Sequence, residues 1–301
     1  SRLKEPEDQI DANDLYVGLN ASAIGIGRWQ WTGARSVVNA GIMGGVNRFS
    51  NETLGGVDLD RGREQQLSVR FDARHQLSPA LELEAGGEVD VLDESRWRQR
   101  PVTSTTYRVI NDYTGEGTRL GVYGTAHWTV APWLSVLPGV RVDRSSLTDD
   151  STASPWVQAV WRVASGTVVR GATGVYQQFP TFEQVIGAWG TPDLHPERAT
   201  SLDVGVEQAI GQSARLQVTV YDREEQDFLR RPGIEPRLVD GRFVPGSRTA
   251  RFENRVEGST RGIEMMVQRL DANGFSGWLS YSYGRNRYRD TVSGERFWGD
   301  L

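Results

Sequence analysis

Apolar and polar residues alternate along much of the chain with a period of two. Over residues 67–77 the odd positions are Leu67, Val69, Phe71, Ala73, His75 and Leu77, and the even ones Ser68, Arg70, Asp72, Arg74 and Gln76. Successive strand side chains point to opposite faces, so this run predicts a strand with one mainly apolar and one wholly polar face. After Ser78-Pro79 the pattern restarts: Leu81, Leu83, Ala85, Gly87, Val89 and Val91 alternate with Glu82, Glu84, Glu88 and Asp90. The two runs predict a hairpin of long strands.

The same unit recurs. Leu120, Val122, Gly124, Ala126, Trp128 and Val130 alternate, Ala131-Pro132 turns, and Leu134, Val136, Pro138, Val140 and Val142 return. Pro138 is the misfit, because proline cannot donate to a ladder. Further hairpins join 156–164 to 167–177 through Ser165-Gly166, 201–210 to 215–228 through Gly211-Gln212-Ser213, and 263–270 to 275–288 through Asp271-Ala272-Asn273-Gly274. These are the residues that chain reversals require. Nearer the start, Leu15, Val17, Leu19 and Ala21 alternate, and Trp29-Gln30-Trp31 and residues 37–46 suggest two or three more strands. The expected total is roughly 12 to 14.

Between the hairpins the expected connections run over 93–116, 145–154, 179–199 and 229–251, mostly far longer than compact domains use. Many strands reach about 10 to 14 residues where soluble strands average roughly 5 to 6, and about 10 tilted residues cross a bilayer. Short turns at one end, long loops at the other and two-faced strands of this length predict an all-β, antiparallel transmembrane β-barrel. Lipid offers no partner to an open sheet edge, so the sheet must close. A soluble β-sandwich, β-helix or propeller also alternates, yet the five turns fall at irregular intervals of roughly 35 to 60 residues, with no fixed repeat.

Composition narrows the chemistry. The 301 residues include 34 Gly and 10 Trp but no Cys, which removes disulfides, thiol nucleophiles and cysteine-ligated metals. A net charge of −5 leaves no global basic field for nucleic acid. The longest uncharged stretch, 120–140, holds His127, Pro132, Pro138 and several Ser, Thr and Gly, so it is no membrane helix. The mean hydropathy of −0.49 does not oppose a barrel, half of whose strand residues face a wet lumen. The acidic start, Ser1-Arg2-Leu3-Lys4-Glu5-Pro6-Glu7-Asp8, has neither an initiator Met nor an apolar leader. The expectation is a leader already removed, or a chain that begins inside a longer one.

No enzyme site emerges. His75, His127 and His195 are far apart and outside metal spacings, and no nucleophile elbow, Walker motif or calcium loop is present. Asp58 with Asp60, and Asp149 with Asp150, read as solvated loop acids. Glu82, Glu84 and Glu88 share one strand face, where paired acids can hydrolyse glycosides, but a hydrated wall balanced by Arg70 and Arg74 is the expected role. No cofactor and no metal is implied. Trp128 and Trp133 flank one short turn, and Trp156 and Trp161 lie near the next, as an interfacial girdle would place them. Trp97, Tyr107, Tyr113, Phe182, Trp189 and Phe243 fall in the expected long loops and are the candidates for gripping an extracellular ligand.

Several segments carry a family resemblance. Leu194-His195-Pro196-Glu197, continuing to Gly205 and Glu207, resembles the L-x-P-E…G-x-E signature of TonB-dependent outer-membrane receptor barrels. Ser154-Pro155 with Tyr176-Gln177-Gln178-Phe179-Pro180, Asn254 with Gly262 and Glu264, Leu279-Ser280-Tyr281-Ser282-Tyr283, and Gly139-Val140-Arg141-Val142-Asp143 are similar to further motifs in that family's order. Trp156 and Glu257 depart from the pattern. The resemblance covers 65–301 well and the first 60 residues poorly, although Ile42-Met43-Gly44-Gly45-Val46-Asn47 resembles in part the glycine-rich element of the family's plug.

The resemblance implies a partial barrel domain over residues 1–301, with the plug, the TonB-binding segment and the last strands lying outside the chain, which ends at 296–301 in an expected loop. It implies an outer-membrane receptor that takes up a large, scarce nutrient such as a siderophore, cobalamin or oligosaccharide. Its partners would be the TonB complex through the plug, the extracellular ligand and outer-membrane lipid. A passive porin-like barrel and a soluble carbohydrate-binding β-domain are the alternatives.

Overall fold

The structure, a computed structural model, describes residues 15–298 apart from residues 54, 104, 105, 234, 235, 240, 248 and 273. The acidic start, Asn273 of the fifth turn and the last three residues therefore lie outside the described residues. The strands are β1 (Leu15–Thr32), β2 (Ser36–Thr53), β3 (Asp58–Ser78), β4 (Leu81–Pro101), β5 (Tyr107–Ala131), β6 (Leu134–Ser145), β7 (Asp150–Ala164) and β8 (Thr167–Gln178). A short helix, α1 (Phe182–Ile186), precedes β9 (Glu197–Ile210), β10 (Ala214–Arg230), β11 (Arg237–Val239), β12 (Arg242–Val244), β13 (Glu253–Ala272), β14 (Phe275–Asp290) and β15 (Arg296–Phe297). All but β11 and β12 form one 13-stranded sheet in chain order; β11 and β12 pair only with each other. Every pairing is antiparallel, and among the described residues β1 and β15 do not pair to close the sheet.

The turn residues stand where the sequence places them: Pro79, Pro132, Gly166, Gly211 and Gly274 each separate two adjacent strands. Gly166 has φ of 101° and Gly211 of 63°, left-handed values that a side chain would strain. Residues 33–35 add a sixth short turn, so the N-terminal region is two wall strands. The segment 42–47 is therefore the middle of β2, paired on both sides, and not part of a plug. Arg296–Phe297 likewise pairs with β14 rather than lying in a loop.

The largest correction concerns the connection expected at 93–116. Strands β4 and β5 run 21 and 25 residues, and the link between them shrinks to 102–106. Strand pairing needs only backbone groups, whereas the alternating pattern needs one face against lipid. Where a strand projects into water both faces turn polar and the pattern vanishes, although the ladder continues. Pro138 is accommodated by a local gap: Leu137 and Pro138 pair with β7 but not with β5, and the Thr125 hydroxyl donates to the Pro138 carbonyl at 2.9 Å.

Cross-strand partners share a face, so the register sorts the whole sheet. Val204 opposes Gly171 on one side and Val220 on the other, and Val220 opposes Ile263, which opposes Tyr283. Leu67, Val69, Phe71, Val122, Val204 and Val220 on this face are each 40 to 52% exposed. The buried apolar residues, among them Tyr113, Phe182, Val185 and Leu194, instead cluster at the end carrying the longer connections. A soluble domain hides its apolar residues inside; a continuous exposed apolar belt requires a nonaqueous neighbour.

The opposite face is a polar lattice. Arg74 pairs with Glu82 at 3.5 Å and Glu84 at 3.1 Å, while Arg141 joins Glu88 at 2.5 Å and Asp143 at 2.7 Å. Glu88 is thus balanced from β6 rather than by Arg70, which lies 3.8 Å from Asp72. His127 belongs to the same lattice, 3.8 Å from Glu84. Trp156 falls on this polar face too, its ring over Gly139, and does not join the girdle with Trp128, Trp133 and Trp161, which are each about half exposed on the apolar side or its turns.

Candidate functional site

Residues 179–196, between β8 and β9, fold over the polar face instead of projecting away. Helix α1 seats on β5 because Gly115 and Gly117 leave room: a Cβ on Gly115 would stand 2.7 Å from the Phe182 ring, and one on Gly117 3.2 Å from it. The Thr181 amide donates to the Gln184 side chain at 2.8 Å, which caps the first turn. Asn111, 1% exposed, uses both ends of its amide, donating to Glu183 at 3.1 Å and accepting from the Ala188 N–H at 2.9 Å. Arg96 reaches Glu183 at 3.5 Å and Asp60 at 2.8 Å, and the Tyr113 hydroxyl donates to Glu94. The result is an inward shelf held by apolar contact and charged hydrogen bonds.

A second set of contacts fixes the far side of the shelf. Asn254 accepts from the His195 N–H at 2.9 Å and donates to the carbonyls of His195 at 2.8 Å and Asp227 at 2.6 Å. The Thr191 hydroxyl donates to the Phe252 carbonyl at 2.7 Å, Arg251 donates to the Gly190 carbonyl at 2.8 Å, and Glu197 accepts from the Leu229 N–H at 2.8 Å. Arg231 lies over the Trp189 ring at 4.2 Å. Burial lowers the Arg231 pKa from the usual guanidinium value, against the opposing pull of Glu183.

The six aromatic candidates divide accordingly. Phe182, Trp189 and Tyr113 meet at the shelf, the first two on it and Tyr113 buried beneath it on the inner face of β5. Trp97 lies on the opposite face of β4, opposed to Arg61, whose guanidinium lies 4.9 Å from the indole. Tyr107 begins β5 and pairs with Pro101, while Phe243 stands 70% exposed in the β11–β12 hairpin. Trp97, Tyr107 and Tyr113 are therefore strand residues, not loop residues.

The motif residues act as fasteners. Leu194 is 2% exposed, Pro196 follows it into β9, Gly205 leaves room for the Thr219 hydroxyl, and Glu207 pairs with Arg170 at 3.0 Å. Gly262 leaves room for the Tyr221 ring, and Glu264 lies beside it on the inner face, opposite Thr219 and Ser282. Sequence reading missed Asn111, Glu183, Arg231 and Arg251, because pinning residues in loops and strand tips follow no period.

The family model described as TonB dependent receptor-like, beta-barrel matches residues 6–300. The chain belongs to this family. The match extends through the N-terminal strands, beyond the region where individual motifs are recognisable. No curated protein sequence matches the chain. Among solved structures it is similar to the outer membrane transporter YddB from Escherichia coli, at a TM-score of 0.70 and 12% identity, covering 92% of this chain and 44% of that one. It is also similar to the FrpB iron transporter from Neisseria meningitidis, TM-score 0.68, 12% identity, 92% and 46% coverage, and to the copper transporter OprC, TM-score 0.65, 14% identity, 89% and 49% coverage. The chain thus spans less than half the length of these structures. In a barrel of this family the apolar face looks to lipid and the polar face lines the lumen, which places the shelf inside the lumen mouth.

Proposed function

We propose that the protein containing this chain is an outer-membrane receptor that takes up a large, scarce nutrient of the metal-chelate, cobalamin or oligosaccharide kind by a TonB-dependent route. The observation that carries the reading is the family match over residues 6–300. Among the described residues both sheet edges are free, and the similar solved structures are covered to less than half their length, which supports a wall completed by other segments of the protein, with a plug in the lumen. The shelf narrows the mouth, and the half-buried Trp189 and the exposed Phe243 offer apolar surface to a ligand entering from the long-loop side. Release would follow when TonB pulls on the plug; this chain supplies wall and loops, with the fixed polar lattice as a hydrated path.

The test is accumulation of radiolabelled candidate nutrients by cells carrying the full-length protein, with and without TonB. Saturable accumulation lost without TonB is expected. Uptake that is unsaturable and indifferent to TonB would mean a passive porin, and recovery of the full-length protein in the soluble fraction would remove the membrane reading.

A further inference from the structure

Strand β5 outruns one of its neighbours. It stays paired with β4 from Tyr107 to Trp128, but its pairing with β6 stops where Arg119 opposes Ser145, because β6 turns back through residues 146–149. One more contact ends that ladder: the Ser146 N–H donates to the Thr118 carbonyl at 2.9 Å, and the Thr118 N–H donates to the Ser146 hydroxyl at 2.8 Å. Thr118 therefore aims both backbone groups towards the β6 side, and antiparallel strand residues two apart aim theirs the same way. Asp112, Thr114 and Glu116 thus turn three N–H and three C=O groups away from β4, and among the described residues none of the six has a hydrogen-bond partner. The strands on this flank, β6 and β7, continue the same sheet, so the edge is a step within the wall and not an end of the sheet.

The side chains of these three residues lie on the outer face, beyond the apolar run that begins at Leu120, and all are exposed. The surface there is acidic. Glu116 directly opposes Asp93, an unfavourable like-charge pair, and Asp93 accepts from the neutral Gln65 amide at 3.0 Å. The cations on this face are engaged elsewhere: Arg61 with Asp58 at 3.2 Å, Arg63 with the Gln65 side-chain oxygen at 2.6 Å, and Arg144 with Asp149 at 2.6 Å. Among the described residues Asp112 and Glu116 make no ion pair. On the inner face the same stretch carries Ile186 of α1, which packs over Gly115 and is 38% exposed.

We propose that the outward edge of β5 at 112–116 is a docking site for an extended strand of a partner protein at the cell surface, one whose side chains alternate between basic and apolar. A row of unpaired N–H and C=O groups is a template for another strand. Asp112 to Glu116 spans about 13 Å, the length of a short strand. Basic side chains on the outer face of the incoming strand neutralise Asp112 and Glu116 and relieve the repulsion with Asp93, while apolar ones on its inner face cover Ile186. The acidic side chains point away from the lumen, which favours a partner that docks over a nutrient that enters. The inference goes beyond uptake.

The probe is an end-blocked seven-residue peptide alternating lysine and valine, added to the full-length protein in detergent, with its glutamate–valine counterpart as control. Fluorescence anisotropy is expected to show the lysine peptide binding at least tenfold more tightly, and hydrogen exchange of the Thr114 and Glu116 amides is expected to slow at least tenfold when it binds. Thr114→Pro removes an N–H that the β4 ladder does not use, so it should weaken binding at least tenfold with normal heat-modifiable mobility. D112N/E116Q should weaken binding at least threefold, and serves if the proline variant folds poorly. Equal binding of the two peptides, equal binding by these variants and the wild type, or exchange unchanged by the peptide would overturn the site. So would protection of both amides in the peptide-free protein, because another of its segments would then cover the edge. TonB-dependent accumulation of the lysine peptide inside cells would overturn the assignment to a docking partner. A protein that lacks heat-modifiable mobility and binds neither peptide overturns the barrel reading instead.

Discussion

Asn254 ties the β8–β9 connection to the irregular stretch of β10 with one side chain, and removing it should free that connection without unfolding the wall. It makes three hydrogen bonds of 2.6 to 2.9 Å, to both backbone groups of His195 and to the Asp227 carbonyl. A typical intramolecular hydrogen bond contributes about 0.5 to 1.5 kcal/mol net. Asn254 is partly exposed, so water replaces some of what Asn254→Ala removes. A loss of about 2 kcal/mol follows from the lower half of that range. This cost falls locally, on the closed state of residues 187–196, and each 1.4 kcal/mol is about tenfold in an equilibrium. Hydrogen exchange of the His195 amide in the full-length protein should therefore accelerate roughly 30-fold. Asn254→Asp keeps the acceptor for His195 but sets a carboxylate oxygen against the His195 and Asp227 carbonyls, so it should accelerate exchange at least as much as Asn254→Ala. Amides in the middle of β9 and β10 should not change. Unchanged exchange at His195, or faster exchange throughout the wall, would refute the reasoning.

Arg255 donates to both oxygens of Asp290, which is 0% exposed, at 2.8 and 2.9 Å; Arg255→Ala leaves that carboxylate to Arg230 at 3.5 Å and the N–H groups of Val292 and Ser293 at 3.0 and 2.9 Å, and should cost about 3 kcal/mol in urea unfolding of the barrel. Gly115→Val should drive Phe182 and α1 off β5, seen as faster proteolysis within 180–196 and weaker ligand binding with normal heat-modifiable mobility. Val204→Arg in the centre of the apolar belt should destabilise the folded barrel by about 2 to 4 kcal/mol, whereas Gln217→Arg on the lumen face, opposite Glu207, should be near neutral in the same unfolding assay.

Much of the wall was legible in the sequence because lipid on one side and water on the other impose the period of two. The five hairpin turns were legible because Gly and Pro sit where reversals demand them. Legibility ended where that asymmetry ends. At 93–101 and 107–116 β4 and β5 run past the apolar belt, with water on the outer face and the polar shelf on the inner one, so paired strands read as loop and carried Trp97, Tyr107 and Tyr113 with them. Trp156 misled in a different way, since a tryptophan near a turn suggests the girdle, while its even position puts it in the lumen over Gly139. The shelf was invisible: nothing periodic announces that Gly115 and Gly117 are glycines to admit Phe182, or that Asn111 and Asn254 clamp the same connection. The resemblance marked Leu194 and Glu197 in one motif and Asn254 in another, and the structure brings the two motifs together where they fasten the 179–196 connection to the wall.

The alternation itself offers the most direct test of the account. The chain contains no cysteine, so single cysteines can be placed in β9 at each position from Leu202 to Glu207. With nitroxide labels attached and the full-length protein in lipid vesicles, collision with oxygen and with a water-soluble nickel complex reports which side each residue faces. A transmembrane wall predicts that Leu202, Val204 and Val206 favour oxygen while Asp203, Gly205 and Glu207 favour the nickel complex, in strict alternation. Equal access of the nickel complex to both sets would contradict it.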